Sequence, residues 1–132
     1  TELPHLFEHV TLELMTLAGS PRDLWAGAGW QRPRGGASRA RLSFQYDDDL
    51  VCLGAINLAR QLIDSACAGD PLPDVTGEIY ASDHSDVGRP PACERLTALL
   101  PDAKVASNPA PAGHRVQVDV REEGIIGPAT PP

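Results

Sequence analysis

Cysteine is scarce in this chain, and its spacing is irregular. Cys52, Cys67 and Cys93 are the only cysteines among 132 residues. Their number is odd and none forms a CxxC pattern, so the sequence offers neither a disulfide framework nor a thiolate zinc site. We therefore expect reduced, mostly buried thiols.

The chain also has few positively charged residues and no long apolar run. Eleven Lys and Arg stand against eighteen Asp and Glu, which gives a formal net charge of -7. This balance removes the diffuse cationic field on which non-specific nucleic-acid binding depends. The apolar runs fall far short of the ~20 residues that span a bilayer, and no basic-then-apolar signal pattern opens the chain. We expect a cytoplasmic protein with no nucleic-acid or membrane partner.

Residues 3–18 predict a helix whose two faces differ. Pro4 suits a first-turn position, and Gly19 stands just past the last periodic residue. At 100° per residue, one arc collects the apolar side chains expected to face the core, namely Leu3, Leu6, Phe7, Val10, Leu14 and Leu17. The opposite face carries four polar side chains, His5, Glu8, His9 and Glu13.

The rest of the chain predicts helices and strands in mixed order. Residues 19–38 contain so many glycines and prolines that we expect an ordered loop. Asp47, Asp48 and Asp49 can cap a second helix that Gly69 ends. The remaining expected elements are a strand at 41–46, that second helix at 50–66, a strand at 75–81, a short helix at 91–100 and a strand at 115–120.

These elements predict one α+β domain over residues 1–123, with a mixed or antiparallel sheet packed by two main helices. A chain of this length holds a core without metal or disulfide staples. Residues 124–132 are expected to form a linker.

The pattern His5-x-x-Glu8-His9 is the most informative motif for chemistry. On a helix, imidazoles four residues apart lie on one face, about 5–6 Å apart at Cβ, close enough to share one metal ion. The carboxylate between them is placed to act as a general base toward a metal-bound water, as in the inverted form of HExxH. His5 and His9 are therefore candidate zinc ligands, and Glu8 is the candidate catalytic base.

A catalytic zinc needs a third protein ligand. Glu13 is too far from His5, at roughly 12 Å along the helix axis. Three places stay open: the aspartates at 47–49, Glu78, and the cluster that begins at Asp83. Leu12 projects between Glu8 and His5, so we expect this polar face to be covered. The alternative is an ordinary solvated helix face whose acids and imidazoles pair with one another.

A cationic stretch beside Trp30 contains Arg32 and Arg34. Guanidinium groups suit carboxylate recognition, so both arginines are candidate contacts for an anionic or peptide ligand. The alternative is a solvated loop that offsets the charge of the aspartates at 47–49.

Three segments, taken in order, resemble the N-terminal domain of cyanophycin synthetases. Residues 5–14 are similar to that family's EHVALELQ helix, Gly29-Trp30-Gln31-Arg32-Pro33-Arg34 to its G-aromatic-G-R-T-R stretch, and residues 42–48 to its V-V-F-E-Y strand. The resemblance covers about half of the chain, residues 3–66. Residues 125–130 are similar to the family's junction with an ATP-grasp module.

The resemblance implies a module that binds cyanophycin, a polymer with an aspartate backbone and arginine side chains, or related peptides. It implies ATP-grasp and Mur-ligase-like modules as partners in the parent chain, with homo-oligomer formation a further expectation. In some members a metallopeptidase-like centre, similar to that of pitrilysin-type inverted zinc proteases, trims the polymer into primers. Carried over by position, His5 and His9 are metal ligands, Glu8 is the base, and Arg32 and Arg34 contact polymer.

Two other interpretations stay open. One is a non-catalytic docking or oligomerisation domain in which the HxxEH face is a scaffold contact. The other is an unrelated small metallohydrolase. No P-loop or GK[ST] segment occurs, so we expect no synthetase activity from this chain alone.

Overall fold

The computed structural model describes residues 3–31, 39–75, 77, 92–100, 103–106, 114–121 and 124–125. Three helices and five strands lie within these ranges. In chain order they are α1 (Leu3–Leu17), β1 (Ala26–Gln31), β2 (Arg39–Tyr46), α2 (Asp49–Ala68), α3 (Ala92–Leu99), β3 (Lys104–Ala106), β4 (His114–Arg121) and β5 (Gly124–Ile125).

The strands form one sheet in the order β1-β2-β4-β3, and every described pairing is antiparallel. β5 pairs with the far end of β4, beyond the three residues of β3. Together with the helices this sheet makes a single α+β domain, which confirms the predicted fold class. The segment expected to be a linker begins with β5, and the residues after Ile125 lie outside the described ranges.

Strict alternation in β2 and β4 gives the sheet one apolar face. Leu42, Phe44 and Tyr46 are fully buried, and the register places them opposite valines of β4 and His114. Val116, Val118 and Val120 are almost completely buried. We call this the inner face of the sheet; the strands predicted from alternation at 41–46 and 115–120 are confirmed.

The sequence correctly predicts where α2 begins and where both long helices end. Asp48 is the N-cap of α2, and its Oδ1 accepts from the backbone N–H groups of Leu50 and Val51 at 2.9 and 3.2 Å. Gly69, at φ 75°, closes that helix in the left-handed region, which suits glycine. Gly19 adopts φ 101° just after α1. The short helix α3 also lies within its expected range.

The helices cover the inner face and share one core with it. Phe7 of α1 meets Phe44 edge to face, with ring centroids 6.1 Å apart. Buried residues of α2 and α3, such as Ile56 and Leu96, belong to the same cluster. By length and composition alone α2 is apolar enough to cross a membrane, but a buried core helix passes the same test, and α2 contributes eight buried residues to this domain.

The buried face of α1 is rotated about the helix axis relative to the apolar arc predicted from the sequence. Leu6 and Leu17 are 41% and 44% exposed, whereas Thr11 and Met15 are buried beside Phe7 and Leu14. The helix packs against both α2 and the sheet, so the side of α1 that includes Thr11 and Met15 is enclosed. Amphipathic periodicity found the helix, but it did not give the centre of its buried face.

The loop expected at 19–38 is wrong for residues 26–31, which form β1. Ala26 and Ala28 pair with Phe44 and Leu42, so the small side chains of β1 lie toward the inner face. Gly27 and Gly29 take the opposite positions, where a full ladder to β2 compensates for their low strand propensity. Strand β3 was not predicted at all.

The thiols are free, but the expectation that they are mostly buried is wrong. Cys52 is buried, Cys93 is intermediate and Cys67 is exposed near the end of α2. The strand expected at 75–81 falls largely outside the described residues.

Candidate functional site

Helix α1 brings the two imidazoles of the HxxEH motif together. The Nε2 atoms of His5 and His9 lie 2.6 Å apart. The ring centroids are 4.5 Å apart and the ring planes are inclined by 21°, so the rings face each other through their Nε2 edges. The spacing of four residues therefore does what the sequence predicts, because both rings direct the same nitrogen toward one point on one face of the helix.

The short distance between these nitrogens makes one a donor and the other an acceptor, and the tautomers decide which histidine takes which role. One ring must donate its Nε2–H while the other accepts through its Nε2 lone pair. Two nitrogens on a tetrahedral zinc, each about 2.0–2.1 Å from the ion, stand about 3.3 Å apart. Both histidines are exposed, so a small rotation of the side chains separates the nitrogens by this amount. The pair fits two positions of one zinc coordination sphere.

Glu8 lies next to the pair on the helix surface. Its side chain is half-buried, and no hydrogen bond or ion pair joins it to another residue that the structure describes. At 100° per residue it projects 60° from the direction of His5. Its carboxylate is thus available to a molecule that approaches the imidazoles, as the motif requires.

The three aspartates proposed as sources of a third ligand have other contacts. Asp48 caps α2, and Asp49 forms an ion pair with Arg95 at 2.9 Å. Asp47 accepts from Ser20 Oγ at 3.1 Å. Within the described ranges no group of three or more His, Cys, Asp or Glu is arranged to hold a metal ion. The other two candidates, Glu78 and Asp83, lie outside those ranges.

The expected cover over this face is not found among the described elements. His5, His9 and Glu13 are exposed, and Leu12 is half-buried against the core rather than closing over the imidazoles. Leu6 and Leu17 lie beside them, more than 40% exposed. The result is an open face that carries two imidazoles, one acid and two leucines, which we call the α1 face (His5, Leu6, His9, Glu13 and Leu17).

Two other nucleophilic side chains are too deeply buried for chemistry at neutral pH. Burial raises the pKa of the Tyr46 hydroxyl and that of the Cys52 thiol, and the carboxylate of Asp49 raises both further. Both groups therefore stay protonated. The imidazoles of the α1 face, in contrast, are exposed.

The candidate substrate contacts Arg32 and Arg34 lie in the connection between β1 and β2, outside the described residues. Comparison with protein-family profiles, with curated proteins and with solved structures found no match for this chain.

Proposed function

We propose that this chain is a polymer- or peptide-binding domain of a cyanophycin-synthetase-like protein, with a zinc-dependent hydrolytic site on the α1 face. The observation that carries this proposal is the convergence of the Nε2 atoms of His5 and His9. It supports the proposal because two imidazole nitrogens on one face of a helix can enter the coordination sphere of one zinc ion.

In this proposal His5 and His9 hold the zinc, and a bound zinc supplies an activated water and a Lewis acid for a peptide carbonyl. Glu8 accepts a proton at its carboxylate and returns it to the leaving amine, the usual task of the acid in such motifs. No third ligand stands beside the pair among the described residues, so this site would need one from Glu78 or from the cluster at Asp83.

The charge of the chain supports a substrate with cationic side chains. The formal net charge is -7, and Glu13 stands on the α1 face, one helical turn from His9. A negative field attracts guanidinium groups and raises their local concentration. The charge thus suits the arginine side chains of the aspartate and arginine peptides that the resemblance implies, and these peptides are the substrate class that we propose.

The test compares the wild-type chain with Glu8→Gln and His9→Ala, each incubated with zinc and with a polymer that has an aspartate backbone and arginine side chains. We expect wild type to release short fragments, Glu8→Gln to keep zinc but lose cleavage, and His9→Ala to lose both. Glu94→Gln is the matched control, because it removes one exposed acid from α3, away from the α1 face, and should keep the activity. Equal cleavage by wild type and Glu8→Gln contradicts the proposal.

A non-catalytic docking domain is the second candidate, and the exposed leucines of the α1 face favour it. Leu6 and Leu17 are 41% and 44% exposed; along the helix Leu6 lies between the two histidines and Leu17 about two turns beyond His9. On this alternative the face packs against a second copy or a neighbouring module. Light scattering of wild type and of Leu6→Ser/Leu17→Ser decides: a dimer that the double substitution dissociates, with no cleavage, supports docking.

A further inference from the structure

The sheet has a second face, opposite the helices, which we call the outer face. Strand register sets its residues in rows that follow one another every ~6.7 Å, the repeat of two strand residues. Across the sheet the rows are Gln45 and Arg115; then Gly27, Ser43, Gln117 and Lys104; then Gly29, Arg41 and Asp119. None of the described helices lies on these rows, because α1, α2 and α3 pack into the core on the inner face.

Positive charge is concentrated on the outer face of this acidic protein. By register it carries five cations, Arg39, Arg41, Lys104, Arg115 and Arg121, but, among the described positions, the single acid Asp119. Five cations less one carboxylate leave a local surplus of four, against a formal net charge of -7 for the chain. Arg41 holds Asp119 at 2.9 and 3.3 Å, and Arg39 and Lys104 also lower the pKa of that carboxyl.

Hydrogen-bonding groups line a depression between the cations. Ser43, Lys104, Val105, Arg115 and Gln117 surround a shallow cavity of about 350 Å³. Gln117 Nε2 donates to Ser43 Oγ at 3.3 Å across the middle of the sheet. Lys104 is exposed at its rim, so a carboxylate that enters here meets an ammonium group and two polar side chains.

On the same face as this depression, the backbone of strand β1 is uncovered at Gly29. A Cβ added at Gly29 would meet nothing within 4 Å, whereas one at Gly27 would come within 2.6 Å of the Trp25 ring. The indole therefore lies across Gly27, and the guanidinium carbon of Arg115 stands 6.0 Å from its centroid. Glycine in a strand is typical of places where a ligand or another backbone approaches closely.

We propose that the outer face binds an extended acidic peptide, with carboxylates on Lys104 and Arg115 and peptide backbone over Gly29. The peptide crosses the strands, because Gly29 lies on β1 whereas Arg115 and Lys104 lie on β4 and β3 at the other side of the sheet, about 16 Å away. A short acidic segment experiences mainly the local surplus of positive charge. A nucleic acid, as a long polyanion, also meets the repulsion of the whole chain, so the peptide is favoured.

This inference does not rest on the proposed function, since the outer face and the α1 face lie on opposite sides of the sheet. Zinc-free protein and the His9→Ala variant should both bind the acidic peptide as wild type does. Failure of the hydrolytic proposal therefore leaves this one intact, and the reverse also holds.

The probe is a fluorescein-labelled peptide of four Asp-Ser repeats, followed by fluorescence anisotropy at low ionic strength. Lys104→Gln/Arg115→Gln should weaken its binding about tenfold or more, because two charge-assisted contacts are lost. Arg22→Gln/Arg60→Gln removes the same net charge from exposed and half-exposed positions elsewhere and should change the affinity less than about twofold. An equal loss in both double variants overturns the proposal, as does a wild-type protein that does not bind the peptide.

A second variant separates binding from folding. Gly29→Val adds a side chain in open space at a position whose φ is not in the left-handed region, so the strand keeps its conformation. We expect unchanged or higher thermal stability together with weaker peptide binding. Unchanged binding by Gly29→Val contradicts the placement of the peptide over β1. An octathymidine that binds more tightly than the peptide, with the same loss in the Lys104 and Arg115 variant, replaces the peptide by nucleic acid and overturns the assignment.

Discussion

Arg95 of α3 forms an ion pair with Asp49 of α2, with Nη1 and Oδ1 2.9 Å apart and the Asp49 side chain only 1% exposed. This contact joins the first turn of α2 to a short helix that has only eight residues. The Asp49 carboxylate, which the sequence analysis considered as a metal ligand, therefore has a structural partner instead.

Removal of one partner from this pair should be strongly destabilising. Arg95→Met leaves the Asp49 carboxylate buried without its counter-ion, which costs about 3–5 kcal/mol in comparable buried pairs. Chemical denaturation gives the free energy of unfolding. The control is Arg60→Met, whose partner Asp64 is 58% exposed at 3.5 Å, and which should cost less than about 1 kcal/mol. Similar losses in the two variants would contradict the structural role of the buried pair.

The protein should be more stable when valine replaces Thr11. Its side chain is fully buried in α1, and its Oγ1 has no hydrogen-bond partner among the described residues. Thr11→Val keeps the shape and removes a desolvated hydroxyl, so we expect a gain of about 1 kcal/mol in the free energy of unfolding. Thr16→Val is the control: its hydroxyl donates to Leu12 O at 3.0 Å and should give no such gain. A loss of stability in Thr11→Val shows that the hydroxyl has a partner.

The pair of Arg41 and Asp119 gives a pH dependence with a definite sign. Arg41 lowers the pKa of Asp119 below its ordinary value, so the folded state favours the ionised carboxyl. The resulting stability is present above the unfolded pKa of about 3.9 and is lost as pH falls through the lower folded value. Wild type should exceed Asp119→Asn by up to ~1 kcal/mol at pH 6, and the difference should shrink below about pH 4. A difference that grows in acid contradicts this assignment.

The three cysteines should react with thiol reagents in the order of their exposure. Cys67 is exposed, and Cys52 is buried with its pKa raised by that burial. A thiol in this state has almost no thiolate, the reactive form. Mass spectrometry after brief iodoacetamide treatment should find Cys67 modified first and Cys52 only after unfolding. Early modification of Cys52 in folded protein means that its surroundings open readily.

The sequence predicted those parts of the fold that depend on local patterns. Alternation in β2 and β4, the cap at Asp48 and the stop at Gly69 all act within a few residues, so the chain displays them directly. Strand β1 was missed because its glycines look like loop residues, and only pairing with β2 makes them a strand. The exposure of Leu6 depends on how α1 sits against α2 and the sheet, which no periodicity contains.

The functional surfaces also divide into those set by local sequence and those set by contacts between distant segments. His5 and His9 lie one helical turn apart, so their convergence follows from helix geometry alone. Lys104 and Arg115 come from two strands whose register the sequence does not show, and the outer face that they share could not be predicted. The contacts of Asp47 and Asp49 depend on Ser20 and Arg95, which are distant in sequence.

The most direct test of the account is the zinc content of the purified chain and of His5→Ala, His9→Ala and His114→Ala, measured by calorimetric titration with zinc. We predict one zinc per chain for wild type and for His114→Ala, and a loss of that site in each of the other two variants. Wild-type protein that binds no zinc, or binding that both His5→Ala and His9→Ala retain unchanged, would contradict the metal site on α1.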